Sequence, residues 1–227
     1  AKVAYPGGCD IGLRPIDIHL KALREMNVKI VERSGYIYCD ASKMTPTELM
    51  LDYPSVGATE NIILASATLK GKTTIMNAAR EPEIVDLQNF LNTMGGNVKG
   101  AGTPFIEIEG VERLHGSEYR AMGDRIVAGT YAIAAAMCGG EIVLKGCKAE
   151  HIQSLLSKLS KTSCNIKHIG DNIEIAAKTK REAIEYIETQ PYPGFPTDLQ
   201  APIIALQTIS HGVSVITENI FENRYKH

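Results

Sequence analysis

Three apolar-periodic segments punctuate the chain: Ile16 to Met26, Ile84 to Met94 and Ile152 to Leu159. Apolar residues recurring at three- and four-residue intervals predict helices with one buried face. Each segment leads to an Asn-x-Lys marker, at Asn27–Lys29, Asn97–Lys99 and Asn165–Lys167, with spacings of 70 and 68 residues. A short alternating run follows each marker: Tyr36-Ile37-Tyr38, Phe105-Ile106-Glu107-Ile108 and Ile173-Glu174-Ile175. Alternation predicts a strand half-buried on a sheet. A second marker keeps step with the first. Gly71, Gly140 and Gly212, spaced by 69 and 72 residues, precede Thr73-Thr74-Ile75, Ile142-Val143-Leu144 and Val213-Ser214-Val215-Ile216. Each of these glycines follows a helix-like stretch of small residues, such as Tyr131 to Met137. Two markers sharing one period predict a supersecondary unit copied in tandem. The unit reads helix, glycine cap, strand, helix, strand, hairpin strand. The stretch from Arg125 to Cys138 is apolar on most faces, which predicts a buried helix. The expected class is therefore α/β, with tandem repeats that bury their helices and leave their sheets outside. That is an ordinary α/β barrel turned inside out.

A length of 227 residues suits one large or two ordinary domains. A boundary is expected at Arg120 to Asp124, after a strand-like run ending at Tyr119 and before the Arg125 helix, with Asp124 as a natural N-cap. It divides the chain into residues 1–122 and 123–227. At 44% hydrophobic and 22% charged the composition is that of a globular protein. The net charge of −2 argues against a general role on nucleic acid or at a membrane surface. Cysteines 9, 39, 138, 147 and 164 are odd in number and lack C-x-x-C spacing. They fit a reducing cytoplasm better than a disulfide or zinc framework, and no metal site is expected. No apolar run is long enough to span a bilayer.

The chemistry concentrates between Pro6 and His19. Gly7, Gly8 and Gly12 free the backbone and Pro6 fixes the entry, so Cys9 is expected near a loop tip. Pro15 suits a first helical turn, and Asp17 in that turn suits the helix dipole. A helix start attracts anions, and Arg14 adds a planar fork for phosphate or carboxylate. A thiol in that setting shifts toward thiolate. Residue by residue, a lone Cys9 in a Gly-rich loop reads more often as an incidental thiol, and Arg14 as a solvated charge. Other segments carry the same double meaning. Ser55 and Thr59, in the turn Tyr53 to Thr59, suit N-caps or donors to a diphosphate. Pro82 starts a helix with Glu83 and Asp86 in its first turns, and Glu81 lies outside it. Asp198 opens a helix after the Pro-rich loop Gln190 to Pro196, where a dipole role alone would explain it. Phe221, in Asn219 to Arg224, suits a core.

The ungapped string Pro6-Gly7-Gly8-Cys9-Asp10-Ile11-Gly12-Leu13-Arg14-Pro15-Ile16-Asp17-Ile18-His19-Leu20 closely resembles the active-site loop of the UDP-N-acetylglucosamine 1-carboxyvinyltransferases. These are the enolpyruvyl transferases that open bacterial peptidoglycan synthesis. The resemblance implies two lobes built from such repeats, with Arg120 to Asp124 at a crossing between them. It implies a family chain about twice as long, so residues 1–227 read as a central fragment expected to be inactive alone. It implies transfer of enolpyruvyl from phosphoenolpyruvate to the 3′-hydroxyl of UDP-N-acetylglucosamine, with phosphate released and no cofactor. Cys9 is then the acid, or the site of a covalent adduct, Asp198 the base, and Arg14 the holder of phosphate or carboxylate. Substrate contacts are implied at Arg14, Pro15, Ile16, Asp17, Ile18 and His19, and at Ser55, Val56 and Gly57 on the nucleotide. Glu81 faces the sugar, Asp124 and Arg125 lie near the cleft, and Thr197 stands beside Asp198. Ile220 and Phe221 touch the uridine side, and Arg224 supports the cleft. Tyr53 stands where some family members carry Lys. Three other functions compete: the sister enzyme acting on shikimate 3-phosphate, a non-catalytic sugar-nucleotide binder, and a repeat scaffold. The sister enzyme has no counterpart of the Pro-Gly-Gly-Cys loop.

Overall fold

The computed structural model describes residues 1–7, 16–178 and 180–227. Cys9, Arg14 and Pro15 lie outside the described residues. Those up to Ala121 make one compact unit and those from Met122 make a second.

The first unit runs β1 (Lys2–Ala4), α1 (Asp17–Glu25), β2 (Lys29–Arg33), β3 (Tyr36–Asp40), β4 (Glu48–Met50), α2 (Val56–Ser66), β5 (Gly71–Met76), α3 (Pro82–Thr93), β6 (Val98–Lys99) and β7 (Phe105–Gly110). One sheet has the order β1-β3-β2 and is antiparallel throughout. The other has the order β4-β5-β7-β6, with β4 parallel to β5 and the rest antiparallel. Alternation sets its two faces. Ile75 of β5 pairs with Ile106 of β7, and both are buried with Ile108. They pack with Ile62 and Ile63 of α2 and with Ile84 and Leu91 of α3. Burying each such side chain stabilises the fold by about 1.5–3 kcal/mol. Lys72 and Glu107 form an ion pair elsewhere on the same two strands.

The second unit runs α4 (Arg125–Cys138), β8 (Gly140–Lys145), a 3-10 turn (Ala149–Ile152), α5 (Gln153–Leu159), β9 (Cys164–Ile169), β10 (Asn172–Ala177), β11 (Tyr186–Glu188), a second 3-10 turn (Thr197–Leu199), α6 (Gln200–Thr208) and β12 (Val215–Thr217). An antiparallel sheet β8-β10-β9 and a parallel pair β11-β12 carry the helices. Leu144, Ile173 and Ile175 of the sheet bury against Ala132 and Ile133 of α4, Leu155 of α5 and Ile203 of α6. The opposite face of β9 leaves Asn165, Lys167 and Ile169 exposed. The fold is mixed α/β, and the order helix-strand-helix-strand-strand occurs once in each unit.

Three expectations need correction. Residues 111–124 contain no strand. The approach to Tyr119 has no sheet neighbour and is anchored by its side chain instead. The Tyr119 ring packs 5.2 Å from that of Phe90, and its hydroxyl donates to Asp86 Oδ1 at 2.8 Å. Burial, then that hydrogen bond, push the phenol up to about 12. Second, α4 is not buried all round. Val127 and Tyr131 are 51% and 57% exposed, in a stripe with Thr130, Ala134 and Cys138. Among the described residues the sheet, α5, α6 and the two 3-10 turns pack against the rest of it. Third, the run after Gly212 forms a strand only from Val215, where β11 offers a partner.

Candidate active site

In the first unit the implied substrate contacts gather around the start of α2. Ser55 is its N-cap, with Oγ accepting from Ala58 N at 3.3 Å, which satisfies an otherwise orphaned donor. Thr59 does not cap. Its Oγ1 accepts from Ala79 N at 3.1 Å, tying α2 to the segment that leads to Glu81. Glu81 is the N-cap residue of α3 and is buried, without a side-chain capping bond. Burial, then the charges of Glu83 and Glu81, push the Glu60 carboxyl up. Ile18 and Val56 pack against the hydrophobic core, so their apolar ends serve the fold. Ile16 precedes α1, and its carbonyl accepts from Leu20 N at 3.0 Å. Asp17 stands in the first turn, as the dipole favours.

His19 reaches from α1 to α2. Its Nδ1 lies 2.7 Å from Asn61 Nδ2. This hydrogen bond ties the two helices together. The ring lies against Gly57, where an added Cβ would meet Cε1 at 3.0 Å, so glycine is what lets the imidazole approach. Burial holds the His19 pKa below 6.5, and the charge of Asp17 opposes this more weakly. The folded unit therefore binds fewer protons than the unfolded chain, and stability rises with pH there. That contribution is complete above pH 6.5 and is lost as pH falls through the lower folded-state value. An imidazole titration followed by NMR should give a His19 midpoint below 6.5. A midpoint at or above that value would contradict the burial assigned here.

In the second unit Asp124 caps α4, with Oδ1 accepting from Ile126 N at 2.8 Å and Val127 N at 2.9 Å. Arg125 beside it is buried, its guanidinium 5.5 Å from the Tyr192 ring. Tyr192 in turn donates to the Glu150 carbonyl at 3.3 Å. Thr197 and Asp198 sit in the 3-10 turn before α6. Gly129 of α4 allows that turn to come close, since a Cβ there would meet Leu199 Cδ1 at 2.5 Å. Asp198 is exposed, and Arg224 Nη2 donates to its Oδ1 at 2.9 Å. The Arg224 side chain is only 16% exposed, and the Phe221 ring lies 5.3 Å from its guanidinium.

Thr197, Asp198, Ile220, Phe221 and Arg224 thus form one cluster, although Asp198 and Ile220 are 22 positions apart in the chain. Glu218 joins them, and nothing in the sequence singled it out. Its carboxylate accepts from Thr197 Oγ1 at 3.0 Å, Ile220 N at 2.8 Å and Phe221 N at 3.1 Å. Asn61 was missed for the same reason: its partner His19 is 42 residues away. Among the described residues no group of His, Cys, Asp and Glu has the geometry of a metal site.

The fold is that of the enolpyruvyl transferases. It matches the enolpyruvyl transferase NikO from Streptomyces tendae with a TM-score of 0.81 at 20% identity, over 93% of this chain and 53% of that one. The chain belongs to the EPSP synthase (3-phosphoshikimate 1-carboxyvinyltransferase) family, whose model matches residues 1–227. It is 52% identical over 227 residues to UDP-N-acetylglucosamine 1-carboxyvinyltransferase 2 of Caldanaerobacter subterraneus subsp. tengcongensis. It is 49% identical over 225 residues to UDP-N-acetylglucosamine 1-carboxyvinyltransferase 1 of Carboxydothermus hydrogenoformans. It covers 100% and 99% of itself in those matches but 54% and 53% of the relatives, so it spans about half their length.

Proposed function

We propose that the protein to which these residues belong transfers the enolpyruvyl group of phosphoenolpyruvate to the 3′-hydroxyl of UDP-N-acetylglucosamine, releasing phosphate and committing the sugar to peptidoglycan. The observation that carries this is the exposed Asp198 carboxylate paired with the largely buried Arg224, beside Thr197, Ile220 and Phe221. The names of the relatives favour the nucleotide sugar over shikimate 3-phosphate as acceptor. So does the Pro6 to Cys9 string, which the sister enzyme lacks.

Two proton transfers define the addition. Protonation of the phosphoenolpyruvate methylene, C3, makes C2 electrophilic. The sugar hydroxyl attacks C2 and loses its proton, giving a tetrahedral adduct. Loss of a C3 proton and of phosphate then leaves the vinyl ether. Cys9 supplies the first proton and, as thiolate, takes one back on elimination; alternatively its thiolate adds to C2 as C3 is protonated by solvent and leaves again before the hydroxyl attacks. Asp198 takes the hydroxyl proton. Arg14 holds phosphate or carboxylate and offsets developing charge. Ser55, Val56 and Gly57 meet the diphosphate at a helix start, where backbone N–H groups and the dipole favour anions. The His19 ring lies beside them, against Gly57. Arg14 to His19, Glu81, Asp124, Arg125, Thr197, Ile220, Phe221 and Arg224 complete the substrate contacts. The repeated element order and the shared Asn-x-Lys and Gly periods support an inside-out barrel of tandem units, with residues 1–122 and 123–227 in different lobes. No described helix is long and apolar enough to cross a membrane, and the cytoplasm is the compartment proposed.

The test uses the full-length protein with phosphoenolpyruvate and either acceptor. Phosphate release is expected with UDP-N-acetylglucosamine alone. Release with shikimate 3-phosphate instead would assign the chain to the sister reaction. Tight UDP-sugar binding without turnover would make it a binding relative, and neither would leave a scaffold.

A further inference from the structure

Glu218 is the point where the two segments of the second-unit cluster meet. It follows β12, whose end is fixed by a polar lattice. Asn219 N donates to Thr189 Oγ1 at 2.9 Å, and Asn219 Nδ2 donates to Glu188 Oε1 at 2.7 Å. Thr189 N donates to the Thr217 carbonyl at 2.9 Å. The Glu218 backbone therefore has little freedom, and its side chain is half-buried. From that anchor one carboxylate does two jobs. Oε1 accepts from the N–H groups of Ile220 and Phe221 at 2.8 and 3.1 Å, which folds the chain toward the turn that carries Arg224. Both oxygens lie 3.0 Å from Thr197 Oγ1, the residue before Asp198. Arg224 closes the ring by donating to Asp198 at 2.9 Å. Asp198 is thus steadied from both sides, by Thr197 through the chain and by Arg224 through space, and both depend on Glu218.

We propose that Glu218 is a positioning residue for the transfer, a carboxylate brace that sets the aim of Asp198 and the placement of Ile220 and Phe221 together. It touches no substrate in this assignment, which holds only if the enzyme runs the transfer proposed above. Hydrogen bonds to a charged acceptor are the strong ones, and a shared acceptor couples the segments that donate to it. Thr197 changes meaning accordingly. Its hydroxyl hydrogen is committed to Glu218, leaving only its lone pairs for a ligand.

Glu218→Gln keeps the shape but removes the charge and one acceptor oxygen. In the full-length protein it should lower kcat and raise KM for UDP-N-acetylglucosamine, each by roughly tenfold or more. KM for phosphoenolpyruvate should stay within about twofold and Tm within about 3 °C. This split separates a brace from a general structural role, which would move both KM values and Tm together. Thr197→Val should reproduce part of the kcat loss, and the double variant should be no worse than Glu218→Gln alone. Losses that multiply would mean independent roles and would overturn the brace, as would normal kinetics in Glu218→Gln. Should Glu218→Gln melt early, Thr197→Val decides: lowered kcat at unchanged Tm supports the brace, and unchanged kcat overturns it. Wild-type protein that releases no phosphate overturns the transfer itself, whereas normal wild-type turnover with unaltered variants overturns only the brace.

Discussion

Asp198→Asn should lower kcat by roughly 10²–10⁴, the usual consequence of removing a general base. The substitution keeps size and an acceptor oxygen for Arg224 but removes the proposed base. Thermal stability should hardly move. Asp198 is exposed, its pairing with Arg224 is partly solvated, and such pairs contribute little. KM for both substrates should change far less than kcat, because the proton moves only as the bond forms. A large fall in Tm with near-normal turnover would instead make Asp198 a structural partner of Arg224.

The thiol should give the second large effect. Cys9→Asp should retain some turnover, since a carboxylic acid still delivers a proton, and should resist an epoxide analogue of phosphoenolpyruvate that alkylates thiolate. Cys9→Ser should be the worse variant, by roughly 10²–10⁴ in kcat relative to wild type, because a hydroxyl is a far weaker acid at neutral pH. Limited alkylation of the full-length protein should mark Cys9 before the other four cysteines of residues 1–227. The surroundings of those four rank the competition. Cys138 is exposed at the end of α4, while Cys39 and Cys164 are half-buried. Cys147 is buried, and burial, then the nearby charge of Asp124, push its thiol up. Peptide mapping that finds Cys138 marked first would show that exposure, not activation, governs reactivity here.

Local physics was legible in the sequence. The apolar period placed α1 at Asp17–Glu25 and α3 at Pro82–Thr93 almost to the residue. Gly71 and Gly140 open β5 and β8 with φ of 118° and 100°, a conformation side chains resist, so the markers coincide with real chain reversals. Caps were legible too: Ser55 and Asp124 use short side chains on donors two or three residues away. Contacts across long stretches of chain were not. His19 finds Asn61, Tyr119 finds Asp86 and Glu218 finds Thr197 through tertiary packing that no local pattern encodes. The exposed stripe on α4 escaped for a related reason. Apolar composition says that a face can be buried, whereas neighbouring elements decide which face is. The surrounding string makes Asp198 a candidate, but its pairing with Arg224 needed the fold.

The most direct measurement is the isotopic composition of the product formed in deuterium oxide. Full-length protein is supplied with phosphoenolpyruvate and UDP-N-acetylglucosamine, and the vinyl carbon of the product is read by mass spectrometry and NMR. Addition and elimination pass through a methyl group whose new hydrogen comes from an exchangeable acid. The expected result is enolpyruvyl-UDP-N-acetylglucosamine carrying solvent deuterium at that carbon, with phosphate released in equal amount. Product whose vinyl hydrogens all derive from phosphoenolpyruvate, or phosphate released without any enolpyruvyl sugar, would contradict the assignment of an acid and a base to Cys9 and Asp198.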